Sequence, residues 1–375
     1  MIIPVKKKLY NPREAGLWWP GKKVNFRFSN AALLIPGCGC CITYPDYATA
    51  CIANSDFEVT KWFDFGDFTP PMAFWGSGCV KLGDYYYHIY VRDGTEERSI
   101  KKLNSNFLEV DSYDTGGHLY FIKTDGTYLY VAGDKISGKN VWCLDGNFGV
   151  QWSVAHLDIN DNSYVYVMEV FAGDGIYLGG RFGSTPYKIR KLALSTGAEL
   201  WSVAIGGNWF TSCFHSDGTH IVAGSEAGSN GLHKVTVGGT PVWTVPRYSD
   251  VLGSDFFIPS LYILGGNIWC ISTAYDTEEG YINVLQQYSL SDGSFIDEDD
   301  TYQVGEDHWA KDSWMEGSYF YTFTLSGCYR NKYDITGDIG YNSRVRLNLQ
   351  NPSYGGYQCI KDGSEYIISL RRSIA

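Results

Sequence analysis

A glycine-centred turn followed by a tyrosine-rich apolar run recurs seven times along the 375 residues of this chain. The copies read LGDYYYHIYV (82–91), TDGTYLYVAG (124–133), AGDGIYLGG (172–180), SDGTHIVAG (216–224), LGGNIWCIS (264–272), MEGSYFYTF (315–323) and KDGSEYIISL (361–370). Counted between Gly83, Gly126, Gly175, Gly218, Gly266, Gly317 and Gly363, the spacings are 43, 49, 43, 48, 51 and 46 residues. Glycine supplies the positive φ of a tight hairpin turn, and short apolar runs between such turns read as strands. A period of this size marks an architecture in which each unit completes its core only against its neighbours.

A second hairpin follows each of these turns. Its copies include 99–113, NVWCLDGNFGVQWSVA (140–155), KIRKLALSTGAELWSVA (188–204), LHKVTVGGTPVWTV (232–245), 284–299 and 331–345. One repeat therefore holds four strands, the content of a propeller blade. The seventh first hairpin, 355–370, ends almost at Ala375, while an unmatched second hairpin, ATACIANSDFEVTKWFDF (48–65), stands near the N-terminus. Its Trp62 holds the place of Trp152, Trp201 and Trp243. Joining 48–65 to 355–370 removes the free sheet edges that a ring would otherwise present. The expected fold is all-β: a seven-bladed β-propeller of four-stranded blades over 46–375, its last blade closed by the N- and C-terminal segments, with an N-terminal extension at 1–45.

Composition agrees. Aromatic residues make up 16% of the chain and charged residues only 19%, the opposite of a disordered polymer. No run approaches the roughly 18 apolar residues of a membrane-spanning helix, so no membrane insertion is expected. The net charge of −11 is unevenly placed: residues 1–45 carry Lys6, Lys7, Lys8, Arg13, Lys22, Lys23 and Arg27 against Glu14 alone. The body is acidic and repels phosphate backbones, so it is not expected to bind nucleic acid. The arm also holds Trp18 and Trp19, an apolar pair suited to burial against a partner. It reads as an assembly arm that docks on other protein subunits.

The second hairpins resemble the repeats of quinoprotein-like propellers, the family that includes pyrroloquinoline-quinone dehydrogenases. An apolar strand, a turn, Thr196-Gly197 and then Trp201 fit that pattern closely, and the segments ending at Trp152 and Trp243 fit it loosely. The resemblance implies that these tryptophans lock neighbouring blades together. It implies no chemistry, because a propeller hosts many functions.

The inter-blade segments are the longest and least repetitive parts of the ring, and they carry Phe68, Trp75, His118, Trp209, Phe210, Phe256, Phe257, His308, Trp309 and Tyr354. Aromatic loops on a rigid scaffold suit contact with protein or glycan. Asp158, Asn160, Asn162 and Glu169 have the spacing of a calcium loop, but the position that requires glycine is Ser163 and 164–170 reads as a strand. No metal site is therefore expected there. Cys51, Cys143, Cys213, Cys270, Cys328 and Cys359 sit singly in apolar strands and read as small buried hydrophobes, whereas Cys38, Cys40 and Cys41 match no common zinc spacing.

Motifs for acyl transfer, phosphate binding, zinc proteolysis and dinucleotide binding are absent from the sequence. The chain reads as a non-catalytic binding or structural module without cofactor. It has no secretion signal at its N-terminus, so synthesis in the cytoplasm is expected. A phage virion or tail-like particle suits this composition. The alternative is a propeller enzyme, either a quinone-dependent dehydrogenase or a glycan-active enzyme.

Overall fold

The computed structural model describes residues 49–53, 59–64, 78–91, 98–106, 108–114, 116–117, 119–155, 164–181, 188–205, 211–225, 230–246, 256–276, 280–299, 303–305, 310–324, 329–336, 340–346, 354–362 and 365–372. They form antiparallel sheets throughout. The strands are β1 (Thr49–Ala53), β2 (Val59–Asp64), β3 (Cys79–Leu82), β4 (Tyr85–Val91), β5 (Arg98–Leu103), β6 (Glu109–Asp114), β7 (Leu119–Thr124), β8 (Leu129–Ile136), β9 (Lys139–Leu144) and β10 (Val150–Val154). Then come β11 (Tyr164–Phe171), β12 (Gly175–Arg181), β13 (Lys188–Leu192), β14 (Glu199–Ala204), β15 (Thr211–Ser216), β16 (His220–Ser225), β17 (Asn230–Thr236), β18 (Pro241–Pro246), β19 (Phe256–Leu264) and β20 (Asn267–Asp276). The last are β21 (Gly280–Ser289), β22 (Phe295–Glu298), β23 (Gln303–Gly305), β24 (Ala310–Glu316), β25 (Tyr319–Thr324), β26 (Tyr329–Asp334), β27 (Gly340–Arg346), β28 (Tyr354–Asp362) and β29 (Glu365–Arg372).

Consecutive strands make the sheets β3–β6, β7–β10, β11–β14, β15–β18 and β24–β27, while β19–β22 gains β23 as a fifth member. A further sheet has the order β2-β1-β29-β28, which joins the two ends of the chain. There β1 runs antiparallel to β29, with Thr49 opposite Leu370 and Ala53 opposite Tyr366. The first strands touch in sequence: β3 with β7, β7 with β11, β11 with β15, β15 with β19, β19 with β24, β24 with β28, and β28 with β3. These are the inner strands, and the fourth strand of each sheet is an outer edge.

Turn chemistry explains the repeat. Asp125 accepts the N–H groups of Thr127 and Tyr128 at 2.8 Å each and the Tyr130 hydroxyl at 2.8 Å. Asp217 does the same for the N–H groups of Thr219 and His220. These bonds hold both carboxyls below the usual range. The third copy of the repeat differs from the sequence register. Gly173, not Gly175, takes the positive φ of 76°. Gly175 instead begins β12, where a Cβ would stand 2.7 Å from Lys191 Cε.

Among the described residues the core is divided. Each apolar cluster lies between two sheets: Tyr87, Ile100, Leu129 and Trp142 between the sheets of β3–β6 and β7–β10, then Tyr130, Met168 and Leu178 at the next junction, and Tyr177, Phe214 and Ile221 after that. Cys143 and Cys270 are fully packed in these clusters. Burial pushes the Cys143 thiol up to about 12, so it behaves as an apolar group.

The junctions share a polar lock. Trp201 Nε1 donates to Val237 O at 3.0 Å and Lys191 Nζ to the same oxygen at 3.0 Å. At the following junction Trp243 Nε1 and Lys234 Nζ both donate to Leu290 O, at 3.4 and 2.8 Å. At the first, Tyr87 Oη and Lys102 Nζ converge on Gly146 O at 2.7 and 2.6 Å. Trp152 Nε1 reaches Leu194 O at 2.8 Å, and the lysine position opposite it is Cys143. Every acceptor lies in the turn between the third and fourth strands of the next sheet. Glycine in that turn admits the indole: a Cβ on Gly239, at φ +88°, would stand 2.6 Å from Trp201 Cγ. The lysines were not foreseen in sequence. Trp152, Trp201 and Trp243 lock the sheets as the resemblance implied, but they are half-buried rather than enclosed.

A bulge recurs on the outer strands. Lys191 faces Trp201 while Leu192 faces Glu199, which leaves Leu200 unpaired. Val110, Val242 and Ile296 are left over in the same way. These are among the largest exposed apolar side chains, Leu200 being 55% exposed. Their exposure is the local consequence of a bulge that twists an edge strand away from further pairing. Trp201→Ala is expected to lower stability by about 2–4 kcal/mol, since it removes a partly buried indole and its hydrogen bond. Urea unfolding checks this: a midpoint unchanged from the parent would show that the lock contributes nothing.

Candidate functional site

The antiparallel register sets one residue of each inner strand at the same level. Lys123 lies opposite Tyr130, Glu169 opposite Tyr177, His215 opposite Val222, Tyr262 opposite Trp269 and Trp314 opposite Tyr321. The second-strand partners lie in turn opposite Cys143, Lys191, Lys234, Gln287 and Lys332. Five successive sheets thus contribute to one arc, level with the locks. All five side chains are half-buried.

Contacts run along this arc. Lys123 Nζ meets Glu169 Oε2 at 2.6 Å, with the two side chains 32% and 28% exposed. Glu169 Oε1 also accepts the Val170 N–H at 3.3 Å. The His215 and Tyr262 rings have centroids 4.0 Å apart at 43°. The Ile263 N–H donates to His215 Nδ1 at 3.3 Å, so a neutral ring carries its proton on Nε2. Burial pushes His215 down to about 4, against the smaller opposing pull of the Glu169 and Asp217 charges. Further along, Trp314 stacks on Tyr321 at 5.6 Å with ring planes 3° apart, and its Nε1 donates to Glu316 Oε1 at 2.8 Å.

Of the residues singled out in sequence, Glu169 alone is in this arc, and it serves there as the partner of a lysine on the neighbouring sheet. Asp158, Asn160 and Asn162 lie outside the described residues. So do Phe68, Trp75, His118, Trp209, Phe210, His308 and Trp309, the arm residues Lys6, Lys7, Lys8, Arg13, Trp18, Trp19, Lys22, Lys23 and Arg27, and Cys38, Cys40 and Cys41. Phe256 and Phe257 open β19, and Tyr354 opens β28. Among the described residues no group of three or more His, Cys, Asp or Glu is placed to hold a metal. Among the described residues no helix is long and apolar enough to cross a membrane.

Solved structures place this architecture among β-propeller proteins. BamB from Moraxella catarrhalis matches with a TM-score of 0.52 at 12% identity, over 84% of this chain and 86% of BamB. The dihydro-heme d1 dehydrogenase NirN, in complex with DHE, matches at 0.55 and 12% identity, over 90% of this chain and 76% of its own. Hsv2 from Kluyveromyces lactis matches at 0.54 and 9% identity, over 78% of this chain and 90% of its own. The fold is a propeller. At such identities the likeness concerns the fold alone, and the quinoprotein-like family is not established by it. No protein-family model and no curated protein matches the chain.

His88 and His233 share the depressed pKa of His215, each pushed down to about 4 by burial. Their folded values lie below the ordinary 6.5, so between these limits the unfolded chain binds protons that the folded chain does not. This stability is complete above the ordinary value and is lost as pH falls toward 4. The melting temperature should hold level near neutral pH and drop across that window. A melting temperature that rises on acidification would contradict the burial of these rings.

Proposed function

We propose that this chain is a non-catalytic β-propeller binding module, a seven-bladed ring whose last blade is built from both chain ends. The circuit of inner-strand contacts through β28 supports that closure, and the Trp–Gly lock supports kinship with quinoprotein-like repeats. The observation that carries the functional reading is the chemistry of the arc. Among the described residues, the Glu169 carboxylate is engaged by Lys123 at 2.6 Å, that of Glu316 accepts from Trp314 Nε1 at 2.8 Å, and His215, pushed down to about 4, is a weak base at neutral pH. General acid–base work needs groups poised near the operating pH. What the arc offers instead is fixed donors, acceptors and ring faces, the equipment of recognition.

The arm at 1–45 completes the proposal. A basic segment with two adjacent tryptophans on an acidic body suits attachment to other protein subunits, and a virion or tail-like particle is the proposed setting. Charge brings the arm to its partner, and burial of Trp18 and Trp19 would resist screening by salt. Affinity capture of the full chain from its native source should return defined subunits in fixed ratio. A chain of 46–375 should melt at the same temperature and return none of them. Equal recovery by both forms would remove the assembly role from the arm.

A further inference from the structure

We propose that the arc on β7, β11, β15 and β19 is a carbohydrate subsite that takes a neutral sugar ring. This rests on reading the chain as a binding module. Among the described residues, neither His215 Nε2 nor the Tyr262 hydroxyl has a hydrogen-bond partner, although both rings are half-buried. Their neighbours on the same level are the half-exposed Lys123 and Glu169.

Charge narrows the ligand. The lysine and glutamate neutralise one another at 2.6 Å, and His215 is neutral at physiological pH. An anion would compete with Glu169 for the ammonium, and a cation with Lys123 for the carboxylate. A wholly apolar ligand would cover the ion pair, the Nε2–H and the phenol without satisfying them, which costs the desolvation of each group. A sugar meets every demand at once. Its hydroxyls both donate and accept, so they serve Glu169, Lys123, His215 Nε2 and the Tyr262 hydroxyl. The His215 and Tyr262 rings pack against one another at 4.0 Å, so the sugar meets their edges, where the Nε2–H and the phenol lie. Among the described residues of these four strands the carboxylate beside the His215 and Tyr262 rings is that of Glu169, already paired with Lys123, and we take the sugar as held rather than cleaved.

The test is calorimetric titration of the full-length chain with neutral malto-, xylo- and chito-oligosaccharides, with inorganic phosphate and glucuronate as charged comparators. One neutral series should bind and the comparators should not. Tyr262→Phe, which keeps the ring, should weaken binding by about three- to tenfold through loss of one hydrogen bond. Glu169→Gln should weaken it further, and Glu109→Gln, on the outer strand β6, should leave it unchanged. Circular dichroism and melting confirm that each variant is folded. Absence of saturable binding by every neutral series overturns the proposal, as does tighter binding of phosphate or glucuronate. Binding that survives both arc variants removes the sugar from this site but leaves the binding-module reading intact. New reducing ends in the bound series, abolished by the arc variants, would keep the site and overturn the non-catalytic reading.

Discussion

At three sheet junctions a buried lysine and an aromatic side chain converge on one backbone carbonyl of the next sheet: Gly146, Val237 or Leu290. The ammonium groups belong to Lys102, Lys191 and Lys234, all under 8% exposed. A buried cation is costly unless hydrogen-bonded, and here the carbonyl and an adjacent ring do this. Lys191 gains Asp174 as well, at 2.5 Å. The consequence is directional. Apolar clusters between sheets tolerate sliding, whereas a carbonyl that must meet two donors allows one height and one angle for each sheet against the next.

That constraint explains why the inner strands come into step. In the sheets β11–β14 and β15–β18 the third strand is pinned by Lys191 or Lys234, and antiparallel pairing transmits the same level to the second strand and then to the first. In β7–β10 the third-strand position is Cys143 and Trp152 alone makes the bond. Lys123, Glu169, His215 and Tyr262 meet although each is separated from the next by more than forty residues. Half-burial follows from their place on the strands nearest the neighbouring sheets. It strengthens the ion pair and keeps His215 neutral. The outer edges face the opposite problem, an open ladder of backbone groups. The repeated bulge at Val110, Leu200, Val242 and Ile296 answers it, and the exposed apolar residues there follow from backbone geometry.

Much of the architecture was legible in the sequence because its causes are local. Asp-Gly-Thr turns, alternating apolar runs and Thr196-Gly197 with its following Trp201 act within a few residues, and repetition multiplies a weak signal into a strong one. The register of the third copy was misplaced by two residues because Gly173 and Gly175 sit two apart, and only backbone conformation tells the one with positive φ from the one pressed against Lys191. The lock lysines were visible as a recurrent Lys in SIKKL, KIRKL and LHKV, but nothing local says that such a residue is buried.

The candidate site was not legible, apart from Glu169, and that residue was read as part of a different arrangement. Its members share no motif, because Lys, Glu, His, Tyr and Trp occupy the same position in successive repeats and so break the periodicity instead of displaying it. The sequence by itself determined the strands, their grouping in fours and the joining of the chain's two ends, since hairpins are decided by turn residues and neighbours in sequence. The tertiary structure alone decided which side chains share a level and which lysines are dry. Those properties arise where sheets from distant repeats meet, and no single repeat contains the carbonyl, the ring or the counter-charge that creates them.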